Sequence, residues 1–319
     1  MKQKRFIILL SILGVLIVIA LVSTLTEDKK AAGNFSSELV QFDAEEVTQV
    51  QVYPPEENAF RIEKGEEDTW MLQVDGNRYN AEKMSMDQLF QEMSGMKALQ
   101  VVSRNKDAWG DFSVGDSAGV RVQVTGGDKT LADVYVGRMD FGQPRNQNQR
   151  QPETFTFVRP NNSEEVYKVR GMLSMFLREG QRAFRSTAIT RCQEAAVARM
   201  DYTYPADSSF SLVKNDSLWF VDGMKTDSAS FETYMDGIEN FSSRSFAEEG
   251  VAAPSGEAPY RLSVSGPAME TINVEGWNWN AGQFLVMSSI NPGTVFSLSE
   301  SQFTRLFRGK SYFFGAAEN

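Results

Sequence analysis

The sequence predicts an α+β protein: one N-terminal transmembrane helix, then two tandem related halves of mainly antiparallel sheet with short helices. Three observations predict it. Phe6 to Leu25 is an uncharged, almost wholly aliphatic run of 20 residues. A set of landmarks recurs at an offset near 150 residues. Within each half, segments of period two are mixed with helical segments and show no regular βαβ alternation, which points away from a parallel sheet.

As a helix rising about 1.5 Å per residue, the apolar run spans roughly 30 Å, the hydrocarbon thickness of a bilayer. Lys2, Lys4 and Arg5 precede it. The positive-inside rule therefore puts the N-terminus in the cytoplasm and everything after Thr26 outside it. A cleaved signal peptide is the rival reading. The run exceeds the usual apolar core of ~7–15 residues. The nearest small-residue stretch, Ala31-Ala32-Gly33, is set off by Glu27, Asp28, Lys29 and Lys30, so an uncleaved anchor is expected. The expected organisation is a cytoplasmic tail (1–5), a transmembrane anchor (6–25), a linker (26–46), a first α+β repeat (47–190) and a second (191–319).

The repeat is read from six landmarks in a shared order. Val47-x-x-Val50-x-Val52-Tyr53-Pro54, Phe60-Arg61-Ile62 and Trp70 parallel Val197-x-x-Met200-x-Tyr202-Thr203-Tyr204-Pro205, Phe210-Ser211-Leu212 and Trp219. Helical stretches follow, at Met86 to Leu99 and Ser230 to Phe241. Phe155-Thr156-Phe157-Val158 then parallels Phe284-Leu285-Val286-Met287, and Val166 to Val169 parallels Val295 to Leu298, both at an offset of 129. Phe176-Leu177-Arg178 parallels Leu306-Phe307-Arg308. The shorter offset places a loss in the second copy. The first copy's extra residues fall in Gln143 to Glu153, a Gln/Asn/Arg-rich stretch that cannot supply a core and is expected to be an exposed loop.

The elements follow in chain order. Val47 to Tyr53 alternates like a half-buried strand. Phe60–Glu63 and Thr69–Val74 read as a hairpin turning at Gly65–Asp68. Met86, Leu89, Phe90, Met93 and Met96 recur at helical spacing, with Ser85 or Asn80 as candidate N-cap. Gly119–Val124 and Leu131–Val136 read as strands about a Gly126-Gly127-Asp128 turn. Two more strands flank Pro160-Asn161-Asn162, and a short helix from Met172 to Arg178 ends at Gly180. About 140 residues per half suffice to bury ~65–70% of the unfolded surface.

Composition closes off much of catalysis. The chain has 319 residues, no histidine, one cysteine and a net charge of −10. Ser-His-Asp, Cys-His and His-metal sites are excluded, as are an internal disulfide and a Cys-x-x-Cys pair. The anchor carries +3, leaving −13 on the rest, which argues against nucleic acid as a partner. Gly115-Asp116-Ser117-Ala118-Gly119 fits a G-x-S-x-G nucleophile pattern. It lacks a histidine base and precedes a strand, not a helix, so it reads as a turn. Ser94-x-x-Lys97 and Ser211-x-x-Lys214 have Ser-Lys spacing but no accompanying motif. Acidic runs at Glu56-Glu57, Glu66-Glu67-Asp68 and Glu248-Glu249 read as solvated charge. No calcium loop, phosphate loop or dinucleotide fingerprint is present. No catalytic, cofactor-binding or metal-ligating residue is therefore expected, and no cofactor. Trp277-Asn278-Trp279-Asn280 is the most suggestive binding feature: on a strand, Trp277 and Trp279 share a face, to stack on a sugar or to pack inside. Cys192 reads as a small buried hydrophobe.

The strand before Phe60-Arg61-Ile62, the Trp70-x-Leu72 pair, Leu89-Phe90, Ala98-Leu99-x-Val101-Val102-Ser103, Val134-Tyr135-Val136-Gly137, Phe155 to Arg159 and Val166-Tyr167-x-Val169 add up to a pattern. It resembles the membrane-anchored bacterial family called domain of unknown function four-three-four-zero. Trp109-Gly110-Asp111-Phe112 stands where that family usually has a Tyr-Gly-Leu-like element. The resemblance implies an extracytoplasmic body, often encoded beside ABC-transporter components of the gliding-motility type, and carries over no catalytic residue. The expected function is a non-enzymatic accessory or binding subunit of such a transporter. It would sit at the inner membrane, single-pass, with its body in the periplasm or otherwise outside the cytoplasm. A cell-envelope glycan-binding module, resting on Trp277 and Trp279, and a carboxylate-dependent hydrolase stay open as alternatives.

Overall fold

The computed structural model describes residues 38–142, 152–206, 208–248, 251 and 254–315. The apolar run 6–25 and residues 143–151 of the Gln/Asn-rich stretch lie outside the described residues. Among the described residues no helix is long and apolar enough to cross a membrane.

The first half contains β1 (Glu38–Val40), β2 (Gln49–Tyr53), β3 (Phe60–Lys64), β4 (Trp70–Val74), β5 (Asn77–Asn80), α1 (Lys83–Met93), β6 (Met96–Ser103), β7 (Val120–Gly126), β8 (Lys129–Phe141), β9 (Thr154–Pro160), β10 (Val166–Arg170) and α2 (Leu173–Leu177). Its ten strands run in the order β1-β6-β10-β9-β8-β7-β2-β3-β4-β5. The second half contains β11 (Arg199–Thr203), β12 (Phe210–Asn215), β13 (Leu218–Val221), β14 (Met224–Lys225), α3 (Ser228–Ile238), β15 (Tyr260–Gly266), β16 (Met269–Asn280), β17 (Gln283–Ser288), β18 (Phe296–Ser299) and α4 (Glu300–Leu306). Its eight strands run β18-β17-β16-β15-β11-β12-β13-β14, which is the order of β10 to β5 in the first sheet. Every strand pairing is antiparallel. Sheet dominates, and the helices are few and short.

The period-two alternation does the folding. Val50 and Val52 of β2 are fully buried while Gln49 and Gln51 face outward, and the pattern repeats at Phe60/Ile62 and Leu72/Val74. The helices lie on that apolar face. Met86, Leu89, Phe90 and Met93 of α1 are buried, and so are Phe231, Tyr234, Met235 and Ile238 of α3, each 145 residues on. Trp70 packs on Phe90 with ring centroids 5.5 Å apart, and Trp219 stacks on Phe231 at 4.5 Å. Each half thus has its own hydrophobic cluster.

Backbone hydrogen bonds repeat as well. Thr48 N donates to Thr125 O and Ala198 N to Ser265 O, both at 2.9 Å. Ala81 N donates to Trp70 O, and Thr226 N to Trp219 O. The start of each long helix, α1 and α3, is met by a carbonyl from the far end of its half: Glu82 N donates to Phe184 O at 2.7 Å, and Asp227 N to Phe313 O at 2.8 Å. Both phenylalanines are fully buried. The halves differ beside β10 and β18. β6 pairs along β10, whereas among the described residues β18 is met on that side by an isolated bridge, Phe246 to Phe296. A two-residue turn, Ala281-Gly282, joins β16 to β17 where twelve residues join β8 to β9.

Several sequence expectations need correcting. The helix read from Met86 to Leu99 ends at Met93, and Met96 to Ser103 is strand β6. Gly95, at φ +72°, breaks the helix one residue before the next apolar side chain that fits its spacing. The second helix ends at Ile238, short of Phe241. Neither Ser85 nor Asn80 caps α1. Glu82 holds the cap position without a side-chain bond, Ser85 Oγ donates to Ala183 O, and Asn80 Nδ2 donates to Ile290 O. The tertiary partners outbid the local cap. Val40 and Phe42, within the stretch read as linker, pack into the first core.

A smaller cluster lies on the other face of the first sheet, where Val114, Tyr135, Phe157 and Val166 are buried. Its centre is Arg159, only 2% exposed, with its guanidinium 3.7 Å from the Trp109 ring and 4.1 Å from Tyr135. Arg159 Nε donates to Val114 O at 3.0 Å, and Asp116 Oδ1 lies 3.5 Å from its Nη2. The Gly115–Gly119 segment is accordingly a turn, closed by Gly119 N to Gly115 O, with Asp116 serving Arg159 and Ser117 exposed.

The equivalent glycines ending β7 and β15 give a test. A Cβ on Gly126 would lie 2.5 Å from Glu46 O, and one on Gly266 would lie 1.9 Å from Ala196 O. The obstacle in each case is backbone, which cannot swing aside. Gly266→Ala is expected to lower stability by about 2–3 kcal/mol and Gly126→Ala by about 1–2 kcal/mol. The readout is a shift of the urea midpoint at unchanged slope.

Candidate functional site

Phe184 closes the first half, so the chain must leave beside the start of α1. Residues 185–192 then run between the halves, and polar groups fix their path. Ser186 N donates to Asn80 O at 2.8 Å. Asn291, fully buried, donates from Nδ2 to Ser186 O at 2.8 Å and to Ala188 O at 3.3 Å, while its Oδ1 accepts from Thr294 Oγ1 at 3.1 Å. Ser288 Oγ donates to Ile189 O at 2.6 Å, and Thr190 Oγ1 donates to Ile238 O. A buried amide with its capacity used in this way holds a connection in one geometry, because any other would leave it unpaired. The guanidinium of Arg185 lies between the rings of Tyr79, at 3.7 Å, and Phe246, at 4.6 Å, one from each half.

Two concavities border this connection. One is a cleft of about 440 Å³ between α1, α2, the connection and residues 240–244. Phe176 and Phe241 line it, with Met84, Met172 and Met175 exposed on its surface at 76%, 42% and 51%. Arg182, Arg185, Arg191 and Arg244 line it too, against the carboxylates Glu82 and Glu179. Arg244 lies 3.4 Å from Glu179, and Arg191 3.8 Å from Glu82. Both pairs are solvated, so each contributes at most about 1 kcal/mol. Arg182 is exposed and has no ion pair among the described residues.

The second concavity is a wider groove that adjoins the first, sharing Glu82 and Arg191 with it, and is lined also by Glu67, Asp68, Glu239 and Glu270 against Lys83. The seam therefore has a cationic, methionine-rich part and an acidic part. Cys192 lines the acidic groove. Burial, with Glu239 adding to it, pushes its thiol up to about 11, so it stays protonated. Glu92, below Met84 on α1, is raised by burial and accepts from Met172 N at 3.5 Å. Among the described residues no group of three or more Cys, Asp or Glu is placed to hold a metal ion.

The sequence-chosen tryptophans lie elsewhere. Both are on β16. Trp277, opposite Leu285, is buried at 9% exposure with Nε1 unbonded among the described residues, while Trp279 is 48% exposed. The strand brings out one indole, not a pair. Trp70 and Trp219 are both buried in their cores. The cleft residues were not singled out from sequence. The available signal is Arg182, Arg185 and Arg191, three arginines within ten residues of an acidic chain.

Residues 75–264 match the family model described as a domain of unknown function, DUF4340. The chain belongs to this family. No curated protein and no solved structure matches it. The stretch matched to DUF4340 contains every residue that lines the cationic cleft.

Two outcomes are expected of this DUF4340 chain. Asn291→Ala leaves two carbonyls of the connection short of a donor and should cost about 2–3 kcal/mol, read by urea denaturation. Cys192 should react with a thiol reagent at pH 8 at least roughly a hundredfold more slowly than free cysteine, since so little of it is thiolate. The rate should rise once the chain is unfolded.

Proposed function

We propose that this chain is a non-enzymatic accessory or binding subunit, tethered to the bacterial inner membrane by residues 6–25 with its body outside the cytoplasm, and serving a gliding-type ABC-transporter complex. The observation that carries the reading is the cationic cleft at the seam. It offers exposed methionines and an uncommitted arginine, which are groups that hold partners. The tether rests on the 20-residue apolar run behind Lys2, Lys4 and Arg5, and the transporter setting on what the sequence resemblance implies. A glycan-binding role is the second reading, favoured by the exposed indole of Trp279.

Affinity purification of the full chain from gently solubilised membranes tests the first reading. Transporter subunits are expected to be recovered with it. Recovery of the protein alone overturns the reading, and retention on envelope glycan that is lost in Trp279→Ala puts the second in its place.

A further inference from the structure

The seam cleft is the cavity where charge and apolarity combine. It holds four arginines against two carboxylates in a chain whose net charge is −10. The excess is local, because the adjoining groove, which shares Glu82 and Arg191 with the cleft, has five carboxylates against two cations. Both cleft carboxylates are already engaged, by Arg191 and Arg244, and Arg185 is held between two rings. Arg182 remains open to a ligand. Beside it, three exposed methionines supply flexible thioether chains that mould to an apolar guest.

We infer that the cleft binds an amphipathic anion, a small molecule with a carboxylate-type head and an apolar chain. Arg182 takes the head, since a guanidinium fork matches two carboxylate oxygens, and the three other arginines add to the positive field around it. Met84, Met172 and Met175 take the chain. The size favours a small molecule over a folded partner: about 440 Å³ falls within the roughly 300–1,000 Å³ of small-ligand sites. The inference deepens the binding-subunit reading by naming a ligand class, and it is tested without reference to any transporter.

The test is equilibrium binding of radiolabelled dodecanoate to the full chain in nanodiscs, with empty nanodiscs subtracted. Dodecanol and dodecylamine serve as neutral and cationic competitors. Saturable one-to-one binding is expected, with dodecanol competing at least tenfold more weakly than unlabelled dodecanoate and dodecylamine not at all. Arg182→Glu should weaken binding at least tenfold. Its side chain makes no ion pair among the described residues, so folding is retained, which circular dichroism checks. Arg178→Glu, a cation outside the cleft lining, should leave binding unchanged. Equal competition by dodecylamine, or no effect of Arg182→Glu, overturns the inference. So does an acidic peptide binding where dodecanoate does not, which would make the cleft a protein-docking site. Dodecanoate failing while transporter subunits are recovered overturns this inference alone; the reverse overturns only the transporter reading.

Discussion

One hydrogen bond, made twice, sets the plan of the molecule. At the start of each long helix a backbone N–H, Glu82 in the first half and Asp227 in the second, donates to the carbonyl of a fully buried phenylalanine from the end of that half. The bond answers one of the orphan donors of a helix N-terminus. It also ties the last residues of each half to its middle. Because Phe184 must reach Glu82, the chain enters the second half beside the N-terminus of α1. The seam, the cationic cleft and the acidic groove lie where they do for that reason.

The seam joins its two sides mostly by polar contacts. Asn80, Ser186 and Asn291 fix the connection by satisfied hydrogen bonds, and Arg185 spans it by stacking on Tyr79 and Phe246. Each half meanwhile keeps its own apolar core. Such an interface specifies orientation more than it contributes apolar burial, and it leaves room for two adjoining concavities. The cationic cleft is therefore formed by a junction and not by either core, in keeping with where small-ligand sites are generally found.

Much of the fold was legible because it is written in short-range pattern. Val50, Val52, Phe60, Ile62 and Leu72 alternate as their strands require; the turn expected at Gly126-Gly127-Asp128 is made by Gly127-Asp128, and the break expected from Pro160 begins one residue later, because Pro160 still belongs to β9. Spacing alone misplaces the end of α1 because Met96 continues it, while the residues that follow Met96 pair as a strand with β10, some 70 residues away. Cap assignments failed for a similar reason: Ser85 and Asn80 answer to Ala183 and Ile290. The cleft was the least legible part. Arg182, Met84 and Arg244 are far apart in sequence and meet only because Phe184 closes the first half. Trp277 and Trp279 show the opposite error. Period two puts them on one face, but the register of β16 against β17 shifts between Asn278 and Asn280, and Trp279 comes out where Trp277 is buried.

The twofold closure also bears on the order in which the chain can become native during synthesis. Every strand of the first sheet, and the carbonyl that meets α1, lies at or before residue 184. The first half can therefore complete its core while the second is still being made, as domains emerging N-terminal first generally do. Residues 185–192 are translated next but cannot settle until Ser288 and Asn291 arrive about a hundred residues later. The seam therefore becomes native together with the second half, whose core takes in Ile189 and Cys192 of the connection.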